Sequence, residues 1–165
     1  MISTADSARN QIASLLSPDE AFCDDFAKHS ESKGSRVQYF LTELEATLRA
    51  SQGQFSRDDY KSLRSFSETV SPDFILPRAE VATDEEIAEF YRLGNRILIE
   101  DAIAVGHEDE PFLPEHRNLL EQSSLRLTKE IACDVNWSVE SIHARGLRLA
   151  KLAVNTWTFS RTINF

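Results

Sequence analysis

Cysteine, glycine and proline are all scarce in this chain of 165 residues, which contains two, five and five of them. Their scarcity excludes a disulfide scaffold, a collagen-like repeat and a glycine- or proline-rich disordered chain. Apolar residues make up 41% and charged residues 27%, a profile typical of a globular domain with its own core. At this length we expect a single domain, residues 1–165.

Long apolar runs are also missing. A membrane-spanning helix needs about 20 apolar residues, and the longest candidate, 97–99, ends at the acidic pair Glu100 and Asp101. Residues 1–6 contain no basic stretch followed by an apolar one, so we expect no secretion signal. We therefore expect a chain that does not enter a membrane, and the two widely spaced cysteines lead us to expect that it resides in the cytoplasm.

The residues that usually carry metal or cofactor chemistry are not suitably spaced. Cys23 and Cys133 form no CxxC pair, and we expect two buried free thiols. The four histidines show neither HxxxH nor HExxH spacing, and no glycine-rich phosphate loop or GxSxG nucleophile elbow occurs. The sequence therefore predicts no metal site, no cofactor and no catalytic residues, and it favours a protein that is not an enzyme.

Apolar residues recur at helical spacing in almost every segment. The clearest stripe, in residues 36–51, consists of Val37, Phe40, Leu41, Leu44 and Leu48. Similar stripes predict helices over about 4–16, 18–31, 57–70, 83–105, 114–134 and 138–160. We predict an all-α fold, a single compact irregular bundle of about seven helices.

The first predicted helix, 4–16, has an apolar face formed by Ala5, Ala8, Ile12, Leu15 and Leu16. The starts of two later helices are marked by their residue types. Ser17 and Pro18 then start the second helix, because serine caps open amides and proline suits the first helical position. Ser56 is a second candidate cap, with Asp58 and Asp59 at the positive end of its helix.

Residues 71–82 break the helical pattern. Pro72 and Pro77 bracket the three apolar residues 74–76. Each proline lacks a backbone donor and biases the preceding residue away from helix. We predict an extended segment that crosses the bundle with these apolar residues buried. A strand is disfavoured because we see no second β-rich segment to pair with it.

The final helix, about 138–160, is apolar around most of its circumference, which favours a central position or a shared one. Its small residues should admit a neighbouring backbone closely, and they are Ala144, Gly146, Ala150 and Ala153. We expect this helix near the centre of the bundle. The chain then ends at Phe165, which either folds back into the core or docks on another chain.

Asp101 is the one carboxylate on the apolar stripe of predicted helix 83–105, four residues from both Ile97 and Val105. A carboxylate there must be paired, hydrogen-bonded or protonated. It is either the partner of an arginine or the centre of a small-molecule or cofactor site with Tyr91, His143 and Trp157. On the opposite face, a solvated ladder of ion pairs is predicted for Arg92, Arg96 and Glu100.

Charge is divided unevenly along the chain. Residues 1–110 have 11 basic and 22 acidic side chains, whereas residues 111–165 have 7 and 5. Arg145, Arg148 and Lys151 follow three-residue steps on the final helix, near Trp157. These cations can neutralise the acidic half within the fold, meet an acidic face of another subunit, or bind single-stranded nucleic acid beside an aromatic ring.

The leading hypothesis is a non-enzymatic protein–protein interaction protein: an adaptor, an inhibitor or immunity-type partner, or an assembly subunit. It would use an acidic N-terminal surface and the apolar, basic final helix to bind another protein or copies of itself. The candidate contact residues are Arg145, Arg148, Lys151, Trp157, Arg161 and Phe165. The alternatives are a head-to-tail ring or filament that holds nucleic acid through the first three, and the small-molecule site centred on Asp101.

Overall fold

The computed structural model describes residues 19–53, 55–76, 83–100, 103, 114–134 and 137–157, and this part of the chain is mostly helical. Its α-helices are α1 (Asp19–Ala27), α2 (Gly34–Ser51), α3 (Arg57–Ser67), α4 (Asp84–Phe90), α5 (Pro114–Leu120), α6 (Arg126–Lys129) and α7 (Val139–Trp157). It also contains 3-10 turns at Leu93–Asn95 and Glu130–Cys133, and strands β1 (Val70–Phe74) and β2 (Arg96–Glu100). The predicted helix 4–16 lies outside the described residues.

The two strands form an antiparallel pair, with Val70 opposite Glu100 and Phe74 opposite Arg96. The prediction of a purely all-α fold is therefore wrong, as is the prediction that the proline-bracketed segment has no strand partner. Residues 96–100 read Arg-Ile-Leu-Ile-Glu, and an apolar run this short fits a helix and a strand equally well. Its two β-branched isoleucines favour the strand, which forms because β1 lies beside it.

The predicted helix 83–105 ends at Phe90 and is followed by a turn and by β2. No helical spacing therefore relates Ile97 to Asp101, and the reason for placing Asp101 on an inner face is removed. Asp101 itself lies outside the described residues. The predicted ladder is also wrong, since Arg96 is buried in the sheet with its guanidinium 3.6 Å from the centre of the Phe74 ring.

Helix α7 contacts α1, α2, α4 and the 3-10 turn Leu93–Asn95. Its inner residues Leu149, Ala150 and Ala153 are fully buried. A Cβ atom built at Gly146 would lie 3.0 Å from the carbonyl oxygen of Ala27, so the backbones of α1 and α7 approach closely there. The predicted close approach is thus confirmed at Gly146, whereas Ala144 is exposed.

Helix α3 begins as predicted. The Ser56 hydroxyl accepts the Asp59 amide at 3.1 Å, and the Asp59 carboxylate accepts the Ser56 amide at 2.8 Å. Each side chain therefore accepts a hydrogen bond from the other residue's backbone amide, which has no acceptor within the helix. This is the capping-box arrangement.

The predicted helix 114–134 is broken after α5, where two carboxylates, the buried Glu45 and the half-buried Glu100, hold the intervening loop. Glu45 of α2 accepts the backbone amides of Arg126 at 3.0 Å and Leu127 at 2.9 Å, and so caps α6 from another helix. Glu100 of β2 accepts hydrogen bonds from the Ser123 hydroxyl and the Ser124 amide. The break is therefore held both by these distant carboxylates and by the loop's own Ser123, whose hydroxyl accepts the Leu125 amide at 3.0 Å.

The pKa of Glu100 links this loop to acid stability. Burial alone would raise this pKa, but the hydrogen bonds from Ser124 and Ser123 outweigh burial and lower it. A carboxylate with a lowered folded-state pKa adds stability above its unfolded pKa of about 4.5, and that stability is lost as pH falls through the folded value. When the pH is lowered from 6 to about 3, we expect the free energy of unfolding of Glu100→Gln, measured by urea unfolding, to fall less than that of wild type. The exposed control Glu121→Gln should show the same pH dependence as wild type. If the two variants lost the same free energy of unfolding on acidification, the Glu100 carboxylate would not contribute this stability.

No helix of the described ranges combines the length and the apolar composition needed to cross a membrane. Neither Cys23 nor Cys133 is in a disulfide bond, and Cys133 is exposed whereas Cys23 is half-buried. The expectation of two buried thiols is therefore wrong.

Candidate functional site

The three cations predicted to share a side of the final helix are separated by the fold. Arg145 is buried, and its Nη1 donates to the carbonyl oxygens of Gly94 at 2.9 Å and Arg96 at 2.6 Å. Burial, together with repulsion from Arg148, lowers the pKa of Arg145 to about 9, so the guanidinium is charged at neutral pH. Contrary to the prediction, Arg145 is not available to a partner, because it binds the turn before β2 and the first residue of β2.

Arg148 and Lys151 lie on the outer side of α7. The Arg148 side chain is 48% exposed and forms an ion pair of 2.5 Å with Glu130. Lys151 is exposed and has no ion-pair partner within the described ranges. Of these three cations, Lys151 alone is exposed and has no ion-pair partner among the described residues. This weakens the alternative in which the three bind nucleic acid.

Trp157 ends α7 half-buried within a group of aromatic rings. Its ring centre lies 6.0 Å from that of Phe26 and 5.7 Å from that of Phe40, and Phe22 lies 5.8 Å from Phe26. These separations are in the range of favourable ring pairs. We refer to Phe22, Phe26, Phe40 and Trp157 as the aromatic surface, since all four rings pack on the core and remain partly exposed.

Two further rings extend the aromatic surface along α1 and α2. Tyr39 is 46% exposed, with its ring 5.9 Å from Phe40, and His29 lies edge-on at 5.9 Å from the same phenylalanine. The guanidinium of Arg64 lies 5.7 Å from the centre of the Tyr39 ring. The surface therefore joins rings of α1 and α2 to Trp157, the last residue of α7.

Sequence reasoning found only part of this surface. It singled out Trp157, but it placed Phe40 in a purely inward stripe and assigned Phe22 and Phe26 to no site. Their four-residue spacing showed that Phe22 and Phe26 share a helix face. Which element that face meets depends on the packing of α1 against α2 and α7, and no local signal reports it.

The remaining candidates do not form a common site. Tyr91 packs on Phe74 and Phe90, whereas His143 is exposed in the first turns of α7. Along α7, His143 and Trp157 are about 21 Å apart at 1.5 Å per residue. Asp101, Arg161 and Phe165 lie outside the described residues.

Two open clefts, of about 370 and 400 Å³, lie on either side of Phe55. Their main charged groups are already engaged. Arg49 donates to Glu45 at 2.6 Å and to the Ser124 carbonyl at 2.8 Å, and Glu43 accepts the Tyr60 hydroxyl at 2.7 Å. Small-molecule sites are usually enclosed and keep convergent polar groups for the ligand, and these clefts do not have that character.

Within the ranges that the structure describes, no three His, Cys, Asp or Glu side chains are grouped so as to hold a metal ion. No family model, no curated protein and no solved structure matches the chain.

Proposed function

We propose that this chain is a non-enzymatic protein–protein interaction protein, and that its partner is a second copy of itself. The observation that supports the proposal is the aromatic surface: four large rings, from three helices, clustered and partly exposed. Partly exposed aromatic side chains are enriched in contact sites, where they dominate the binding energy.

The second copy is favoured by the course of the chain around this surface. Phe22 is the fourth residue of α1, and Trp157 is the last residue of α7. Residues 1–18 and 158–165 therefore both join the described part of the molecule at the aromatic surface. Both contain apolar residues, among them Ile12, Leu16 and Phe165. Further apolar residues of the same chain therefore follow directly in sequence from both ends of this surface.

The contact is apolar rather than charge-driven. Of the basic residues predicted to bind a partner, Arg145 is buried and Arg148 is paired with Glu130. Apolar burial depends little on ionic strength, whereas exposed charge pairs are screened by salt. Self-association should therefore persist at high salt. Neither cysteine is in a disulfide bond, which accords with the cytoplasmic residence that we propose with this function.

Sedimentation velocity of the full chain tests the proposal. Concentrations from about 1 μM to about 1 mM cover binding free energies of about −8 to −4 kcal/mol. We expect the 18.7 kDa monomer to convert to a dimer within this range, with a midpoint that changes less than about threefold between 0.1 and 1 M salt. A monomer throughout would refute the proposal, and association that disappears at high salt would assign the contact to charges instead.

A further inference from the structure

We propose that a small cavity beside Arg145 is a binding site for one monatomic anion, with chloride as its ligand. The cavity lies between α2, β2, α6 and α7, and four leucines from α2, β2 and the start of α6 form its apolar walls. Its polar lining residues are Glu45, Thr128 and Arg145. The site lies inside a single chain, so this inference does not depend on the proposed self-association.

Two nitrogen atoms of Arg145 lack a hydrogen-bond acceptor. Arg145 is 4% exposed, and its Nη1 donates to the carbonyl oxygens of Gly94 at 2.9 Å and Arg96 at 2.6 Å. Its Nε and Nη2 are buried and have no acceptor among the residues that the structure describes. Buried donors are almost always satisfied, and a charged donor without an acceptor is strongly destabilising. These two nitrogens therefore favour an additional acceptor.

The two nitrogens form one edge of the guanidinium group. Nε–H and the neighbouring Nη2–H point in parallel, and arginine uses this fork to bind anions through two hydrogen bonds. Nη1 lies on the other side of the planar group and faces the turn Leu93–Asn95. The fork therefore faces away from that turn, and Arg145 lines the cavity. The Thr128 hydroxyl donates its proton to the Leu98 carbonyl oxygen at 2.8 Å, so the donors of the site come from Arg145.

The size of the cavity limits what it can hold. Its volume is about 10 Å³, close to the smallest volume that accommodates one water-sized ligand. Carboxylates and phosphates, which arginine binds elsewhere in proteins, have several heavy atoms and are too large. A monatomic ion is the kind of anion that remains.

The charges around the cavity favour an anion over a neutral acceptor. The Glu45 carboxylate already accepts from Arg49 Nε at 2.6 Å and from two backbone amides at the start of α6. Glu130 is likewise paired with Arg148 at 2.5 Å. Arg145 forms no ion pair with a carboxylate in the described part of the chain. Because a buried charge is costly unless it is paired, the guanidinium favours a ligand of opposite charge.

Urea unfolding of the full chain at pH 7 tests the site, with sodium chloride compared against the same concentration of sodium gluconate, whose anion is too large for the cavity. An anion that binds the folded state alone lowers the unfolding equilibrium constant as its concentration rises. For a Kd of about 20 mM, we expect about 0.2 M chloride to lower that constant about tenfold relative to gluconate. Lys151→Met removes an exposed cation from the same helix and should keep the full chloride effect.

Arg145→Met should lose the chloride effect, because methionine is unbranched and has no donor. If that variant does not fold, a crystal of wild type grown in sodium bromide gives the second measurement. We expect an anomalous bromine signal within hydrogen-bond distance of Nε and Nη2 of Arg145. Equal wild-type stability in the two salts, or an equal chloride effect in Arg145→Met and wild type, would overturn the inference. Absence of the bromine signal would overturn it too, and ordinary density there would assign a water molecule instead.

Discussion

Gly94→Ala should unfold the protein or reduce its free energy of unfolding by more than about 3 kcal/mol, because the new methyl group would meet backbone. A Cβ atom at Gly94 would overlap the carbonyl oxygen of Ile142 and lie 3.0 Å from its carbonyl carbon and 3.1 Å from the Gly146 amide nitrogen. Backbone inside α7 cannot move aside as a flexible side chain can, so the turn Leu93–Asn95 would have to separate from α7.

Gly53→Ala provides the matched control. Nothing lies within 4 Å of a Cβ atom built at Gly53, and this residue is exposed. The added methyl group should leave stability unchanged or raise it by about 0.5 kcal/mol through the unfolded state. Urea unfolding of the two variants gives the comparison, and a Gly94→Ala variant as stable as Gly53→Ala would show that α7 and the turn are not in close contact.

Asn95→Leu should cost about 3–5 kcal/mol, since one buried amide joins three parts of the fold. Its Oδ1 accepts the Leu76 amide at 2.7 Å and the Trp137 indole N–H at 3.1 Å. Its Nδ2 donates to the carbonyl oxygens of Phe90 at 3.0 Å and Leu76 at 3.3 Å. Leucine would leave all four of these groups unsatisfied in the interior.

Asn95→Asp tests the hydrogen bonds alone, because aspartate has nearly the same size as asparagine. A carboxylate keeps the two accepted bonds but faces the carbonyl oxygens of Phe90 and Leu76 without a proton. The folded state should therefore favour the protonated acid, so the stability of this variant rises as pH falls from 8 to 5. The free energy of unfolding that Asn95→Leu loses relative to wild type should stay constant over that pH range. If urea unfolding showed the same pH dependence for both variants, the assigned hydrogen bonds would be contradicted.

How far the fold could be predicted depended on the length of each apolar pattern. Predicted helices 36–51 and 138–160 appear as Gly34–Ser51 and Val139–Trp157, because a periodic stripe over four or more turns fits only a helix. Residues 96–100 carry no such stripe. Their pairing is decided by residues 70–74, which lie more than twenty positions away in the sequence.

The candidate site was less predictable than the fold, because packing between distant elements decides which of its side chains are exposed. The spacing of Arg145, Arg148 and Lys151 suggested a common row, but the carbonyl oxygens of the turn before β2 hold Arg145 inside. Backbone carbonyls leave no signature in a sequence. Asn95 has no role in the sequence-based prediction for a related reason, since it lies within the predicted helix 83–105 and its partners are mostly backbone groups.

The association curve of Phe22→Ser is the most direct test of the central claim that the aromatic surface is the contact between copies. Phe22 lies near the start of α1 and packs on Phe26 at 5.8 Å. Phe66→Ser is its control, because Phe66 is also partly buried but lines the cleft beside Arg49 and Arg126. In sedimentation we expect Phe22→Ser to weaken dimerisation at least tenfold, as loss of a contact aromatic does, and Phe66→Ser to follow wild type. Equal dimerisation of Phe22→Ser and wild type would contradict the account.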